Sequence, residues 1–201
     1  MLTFDTEQHQ YFWHGVLVPN VTRVIAHLTD YSHIKPDMLK CAQDEGIAIH
    51  AMVDLDCKND LVLPVPEWMT GRYKAWCRFK EETGFECWGS EFRMFDMLLG
   101  VAGTLDIVGV LHNLKKIRGG AIIDVKRSLY AGPAIGLQTA GYERLWSSDK
   151  TRDKTRHRFA LELRDNETYR LTPCEDADDA VAFLACVQQL KWKEKHYVRS
   201  N

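Results

Sequence analysis

The stretch from Glu86 to Ser128 constrains this chain most. Three short runs rich in β-formers, EFRMF, AGTLDIVGVLH and GGAIIDVKRS, follow one another with only glycine and polar turns between them. The last contains AIIDV, nearly all apolar, as a strand covered on both faces would be. Such a strand needs cover from elsewhere. The flanking sequence supplies it as helical patterns on both sides, which predicts an α/β fold: a small mixed β-sheet flanked by helices.

Before the sheet, YFWHGVLVP reads as a short strand and turn. VTRVIAHL reads as a helix opened by Asn20 or Thr22, and 37–56 as a second helix with Asp37 as its candidate N-cap. A third is expected from Pro66 to Glu82, stopped by Thr83-Gly84. After the sheet, PAIGLQTAGYERLW reads as a helix with Leu137, Ala140, Gly141 and Leu145 on its buried face. HRFALEL and TYRLTP form a hairpin around RDNET, and an amphipathic helix runs from about Glu175 to Tyr197. No repeat or Pro/Gly/Ser linker divides the 201 residues, so a single domain is expected. Its parts are a helical region 20–84, a sheet core 86–147, and a hairpin with C-terminal helix 156–198.

Composition narrows the function classes. No run approaches the roughly 20 apolar residues of a membrane span, and MLTFDTEQHQ is charged where a secretion signal is apolar. A cytoplasmic protein with no membrane partner is expected. The six cysteines (41, 57, 77, 87, 174 and 186) include no CxxC pair, so free thiols are expected and no Fe–S cluster. GxxxxGK[ST] is absent, so no nucleotide is expected as cofactor. Net charge is −2 but unevenly spread: residues 1–100 hold 9 Lys and Arg against 15 acids, and residues 112–158 hold 11 against 4. The basic zone is either an electrostatic footprint for phosphates or a solvated loop.

Three acids and a lysine fall on the expected sheet: Glu91, Asp106, Asp124 and Lys126. Asp124 and Lys126 are two apart, so on a strand they project from one face. Burying both is costly without a purpose. Asp106 lies one strand earlier and Glu91 one before that, so all four can converge at one edge. Carboxylates suit Mg²⁺ or Mn²⁺, and one or two such ions beside a lysine suit phosphodiester hydrolysis, with Lys126 as the cation that holds or deprotonates the water. Taken singly each feature is ordinary. A D-x-K tripeptide is most often an exposed strand pair.

Taken in order, His50 (GIAIH), Glu91, Gly103 and Asp106 (GTLD), Asp124 and Lys126 (IIDVK), then Gln138 and Tyr142 (QTAGY) resemble the RecB-type branch of the PD-(D/E)XK nucleases. The resemblance runs over about residues 11–195 and extends to PNVTRVI, which resembles the opening of phage and bacterial exonucleases of that branch. It implies a restriction-endonuclease-like core and an Mg²⁺- or Mn²⁺-dependent deoxyribonuclease. That enzyme would be an exonuclease acting on linear DNA ends in phage-type recombination or turnover, in a bacterial or phage-infected cell. It implies Asp106 and Asp124 as principal metal ligands, with the Val125 carbonyl completing the shell. Glu91 would be the upstream acid, with Glu86 as rival. His50 would lie at the metal and favour Mn²⁺, and Gln138 and Tyr142 would face the DNA. Arg127-Ser128 replace the family's frequent Thr-Ser and would tune phosphate contacts. A single-strand annealing protein would be a natural companion. A structure-specific endonuclease and a catalytically silent DNA-binding module share the pattern. Trp146, Tyr130, Trp13 and Phe12 are the aromatic candidates for stacking on an unpaired base.

Overall fold

The computed structural model describes residues 1–32, 34–117, 119–128, 132 and 134–197. The chain opens with three antiparallel strands, β1 (Leu2–Asp5), β2 (Gln10–Trp13) and β3 (Val16–Val18), in that order. The sequence suggested only a strand and a turn here. His14 and Gly15 both have positive φ (48° and 80°), and this two-residue turn pairs Trp13 with Val16. A histidine in place of Asn or Asp disguises that hairpin signal.

Helix α1 (Val21–Ile25) is capped by Asn20, whose side chain accepts from Arg23 N at 2.7 Å, and continues as a 3₁₀ turn over Ala26–Leu28. Helix α2 (Pro36–Cys57) corrects the expectation for Asp37. Pro36 is at the first helical position, so the cap is Lys35, and Asp37 sits in the first turn instead. The proline ring presets a helical φ and holds the preceding residue extended. Helix α3 (Thr70–Thr83) begins after a 3₁₀ turn at Glu67–Met69 and ends on Gly84 in the left-handed conformation.

The main sheet follows: β4 (Phe85–Asp96), β5 (Val101–Leu111) and β6 (Gly120–Lys126), then α4 (Ala134–Ser148), β7 (Thr155–Leu163), β8 (Tyr169–Pro173) and α5 (Asp179–Tyr197). Spatial order equals chain order, and every neighbouring pair is antiparallel except β6 and β7. That parallel pair requires a crossover, which α4 provides. The last helix starts four residues later than expected.

Strand β6 shows why the sheet needs two covers. Ala121, Ile123 and Val125 pack with Ile49, Met52 and Val53 of α2 and with Trp76 and Phe79 of α3. Ile122 points the other way, into a second core with α1, α4 and α5, among Val24, Leu145, Phe183 and Val187. Each buried Val, Ile, Leu, Met or Phe among them contributes about 1.5–3 kcal/mol by leaving water. On the second face α4 comes close to β5. A Cβ at Gly103 would lie 2.9 Å from Leu145 and 3.3 Å from Tyr142, so glycine there permits the approach. The alternation sets Asp124 and Lys126 on the α4 side, with Ile122.

Strands β5 and β6 pair only from Val110↔Gly120 to Ile107↔Ile123. Beyond that they part, while β5 stays paired with β4 as far as Val101. The gap opens where Asp106 and Asp124 lie.

Candidate metal centre

Asp106 spans the gap. Its Oδ2 accepts from Val125 N at 2.7 Å, taking the place of the missing strand partner. The carbonyl of the same residue accepts from His50 Nε2 on α2 at 2.9 Å. That carbonyl, the expected third metal ligand, therefore also orients an imidazole. With Nε2–H committed, His50 Nδ1 faces Asp106 Oδ1 at 3.4 Å. A backbone carbonyl on the far nitrogen is how metal-ligating histidines are commonly held.

Glu91 completes the group. Its neighbours keep register, Ser90 opposite Ile107 and Phe92 opposite Leu105, but Glu91 itself has φ 50°. A left-handed non-glycine residue costs about 1–2 kcal/mol and persists only where its surroundings hold it. The ligand atoms of His50, Glu91 and Asp106 lie within 4.8 Å of one another. Glu86, the rival, is opposite Val110, four residues along β5, and its exposed carboxylate meets His112 Nε2 at 2.9 Å. The fold brings Glu91, and not Glu86, to Asp106.

Asp124 stands apart from the three. It is buried, and Lys126 Nζ approaches its Oδ2 at 2.6 Å. The ammonium covers Oδ2, whereas Oδ1 is buried without a hydrogen-bond partner. A buried carboxylate oxygen left without a donor next to a His/Glu/Asp group fits a divalent cation. The donor set admits Mg²⁺, Mn²⁺ and other such ions and selects none of them.

The electrostatics follow from crowding. Burial alone would lower the pKa of His50, but the charge and hydrogen bond of Asp106 outweigh it and raise it to about 9. Burial would raise that of Asp106, yet His50 and Lys126 hold it below the ordinary value. Glu91 is pushed up to about 7 by burial and then by the charge of Asp106. Asp124 is raised to about 6 by burial and Asp106, against the pull of Lys126. Burial would lower the pKa of Lys126, but Asp124 and Asp106 raise it, so this lysine is a cation at neutral pH rather than a base. Burial and the two aspartates keep Tyr142 a phenol.

A cavity of about 220 Å³ gathers His50, Glu91, Gly103, Asp106, Asp124, Lys126, Gln138 and Tyr142. On α4, Gln138 Nε2 donates to the Tyr142 hydroxyl at 2.9 Å. Asn20, Thr22, Thr104, Phe4, His9 and Tyr11 line it too, and none of these was singled out as a site residue from sequence. Phe4, His9 and Tyr11 come from the small N-terminal sheet, whose docking no local pattern announces.

Other expected contacts lie elsewhere. Arg127 pairs with Glu45 of α2 at 3.2 Å, and Ser128 is exposed. Trp146 is buried and donates to the Asp153 carbonyl, and Trp13 stacks on Phe95 at 4.5 Å, so both are held by the protein itself. Phe12 is half-buried on β2, opposite Leu17. Among the described lysines and arginines of the basic zone, Lys126 alone lines the cavity. Arg144 pairs with Asp96, Arg152 with Asp149, and Arg158 with Asp179 and Glu143. Lys115 and Lys116 lie in the β5–β6 connection, at the opposite end of β6 from Asp124. Tyr130 and Arg118 lie outside the described residues.

These shifts have one sign in the neutral range. His50 is raised from 6.5, Glu91 from 4.5 and Asp124 from 3.8, so the folded protein holds extra protons. The stability this contributes is full below the unfolded values and is lost as pH rises through about 6, 7 and 9. Asp106 has the opposite sign, but its effect falls in acid. In EDTA the melting temperature should therefore fall between pH 5.5 and 9, by roughly 5–10 °C given about 2–4 °C per kcal/mol at this size. Thermal unfolding across that range checks it; a rising melting temperature would remove the assigned couplings.

Among the described residues no helix is long and apolar enough to cross a membrane. In comparison with known proteins, no family model matches this chain and no curated protein matches its sequence.

Proposed function

We propose that the protein is a metal-dependent deoxyribonuclease, an exonuclease hydrolysing phosphodiester bonds, built on a restriction-endonuclease-like core. The observation that carries this reading is the convergence of His50, Glu91 and Asp106 on one small cavity, with Asp124 and Lys126 facing the same space. The order of these residues along the chain, and a mixed sheet with helices on both faces, support it further.

Asp106, Glu91 and His50 would hold a divalent cation, with Asp124 beside them. When bound, such a cation polarises a phosphate and lowers the pKa of water. The chain's own residues supply the rest. Lys126, kept protonated by Asp124, presents a cation toward charge developing on a phosphoryl oxygen. Asp106 and His50 hold Val125 by its N–H and its carbonyl, which fastens β6 to β5 and to α2. Gln138 holds the Tyr142 hydroxyl, an uncharged donor at the cavity wall. Substrates would be linear DNA ends, with a single-strand annealing protein as a fitting companion.

The test is cleavage of end-labelled linear DNA and matched closed circular DNA in Mg²⁺, Mn²⁺ and EDTA. Metal-dependent loss of the linear form alone is expected. Cutting of circles would replace the exonuclease with an endonuclease, and no cutting with either ion would leave a DNA-binding module.

A further inference from the structure

Phe4 of β1, His9 of the β1–β2 turn and Tyr11 of β2 share the cavity of the carboxylates yet belong to neither hydrophobic core. They form one continuous wall. The His9 ring meets Phe4 edge-on at 5.0 Å, and Phe4 lies 4.6 Å from Tyr11. Arg93, two residues beyond Glu91 on β4, places its guanidinium 4.6 Å over the Phe4 ring. The Tyr11 hydroxyl lies 2.6 Å from Thr104 Oγ1, two residues before Asp106, which fastens the wall to the strand bearing that ligand.

Exposed His9 and half-buried Phe4 offer ring surface to a flat aromatic ring, which is the chemistry of an unpaired base, while Arg93 braces Phe4 from outside the carboxylate cavity. His9 is exposed and left-handed at φ 52°, with its ring held against Phe4 rather than in the interior. Burial and Arg93 lower its pKa, so the ring stays neutral and able to stack near pH 7.

We propose that this N-terminal wall stacks the terminal base of a single DNA strand, so that the substrate is an unpaired end rather than intact duplex. This rests on the nuclease reading and names its substrate class. Base pairing hides both faces of a stacked base, whereas every unpaired base offers one to the wall, so the preference is for strandedness and not for sequence.

The experiment measures binding of internally labelled single-stranded 12-mers in Ca²⁺, with either normal or abasic residues at both ends. Wild-type protein should bind the normal strand at least about tenfold more tightly than the abasic one. The Phe4→Ala/His9→Ala variant should bind both alike, and Phe4→Trp should keep the difference. Equal affinity of wild-type protein for the two strands would overturn the stacking wall while leaving the nuclease reading in place. Failure to bind either strand would also overturn the single-strand substrate, and the cleavage assay on linear DNA then decides the nuclease reading separately. The wild-type comparison needs no variant, so misfolding of the alanine variant does not affect it.

Discussion

Glu91→Gln is expected to stabilise the metal-free protein at pH 8 while removing its response to Mn²⁺. At that pH the Glu91 carboxylate, with its pKa near 7, is largely ionised and faces the charge of Asp106. The amide keeps the shape and drops the repulsion. Because Glu91 is only partly buried, the gain is small, about 1 kcal/mol or roughly 2–4 °C. Wild-type protein should gain roughly 5–10 °C in Mn²⁺ at a hundredfold excess over its dissociation constant. The variant should gain almost nothing, and its cleavage of linear DNA should drop by about 10²-fold or more. Thermal unfolding with and without Mn²⁺ reads the first two effects. A variant that still responds fully to the metal would remove Glu91 from the centre.

Lys126→Ala should have the larger effect on stability. It leaves Asp124 buried with neither a counter-charge nor a hydrogen-bond donor. Breaking a buried pair from one side typically costs about 3–5 kcal/mol, roughly a 10 °C fall at this chain length. Adding Asp124→Asn in the same chain should restore most of that loss, because a neutral amide carries no stranded charge. Cleavage should stay abolished in both. If Lys126→Ala melts like wild type in EDTA, the pair does not hold this region together, and the lysine's role is confined to chemistry.

The sheet and its acids were legible because β6 announces itself. Asp124 and Lys126 interrupt an apolar run at a spacing of two, and period-two alternation decides which face they take. The choice between Glu91 and Glu86 was not legible. It depends on the register between β4 and β5 and on a left-handed residue within β4, and neither leaves a trace in residue types. The resemblance implied Asp106, Asp124 and the Val125 carbonyl together as ligands. The fold gathers Asp106 and Asp124 at one cavity and adds ties that residue types do not announce, His50 and Asp106 holding Val125 and Lys126 opposing Asp124. The aromatic wall was missed for a similar reason. Trp146 and Trp13 are conspicuous in the sequence, but large apolar rings are the first to be recruited for packing. Phe4 and His9 reach the cavity only because a separate small sheet docks against β4, with Tyr11 reaching β5. The basic zone between 112 and 158 looked continuous along the chain, yet Arg127, Arg144 and Arg158 are each paired with acids from other elements.

The three carboxylates differ in what the protein itself asks of them. Asp106 fastens β5 to β6, and Asp124 is the counter-ion of a buried lysine, so losing either harms the folded state. Glu91 does neither. It occupies an unfavourable backbone conformation and repels its neighbour, and the fold would be better off without it. In a lineage released from selection for chemistry, Glu91 is therefore the acid that drift should erase first, while Asp106 and Asp124 linger as architecture. On the proposed nuclease reading, an intact Glu91 is a more informative sign of retained chemistry than either aspartate.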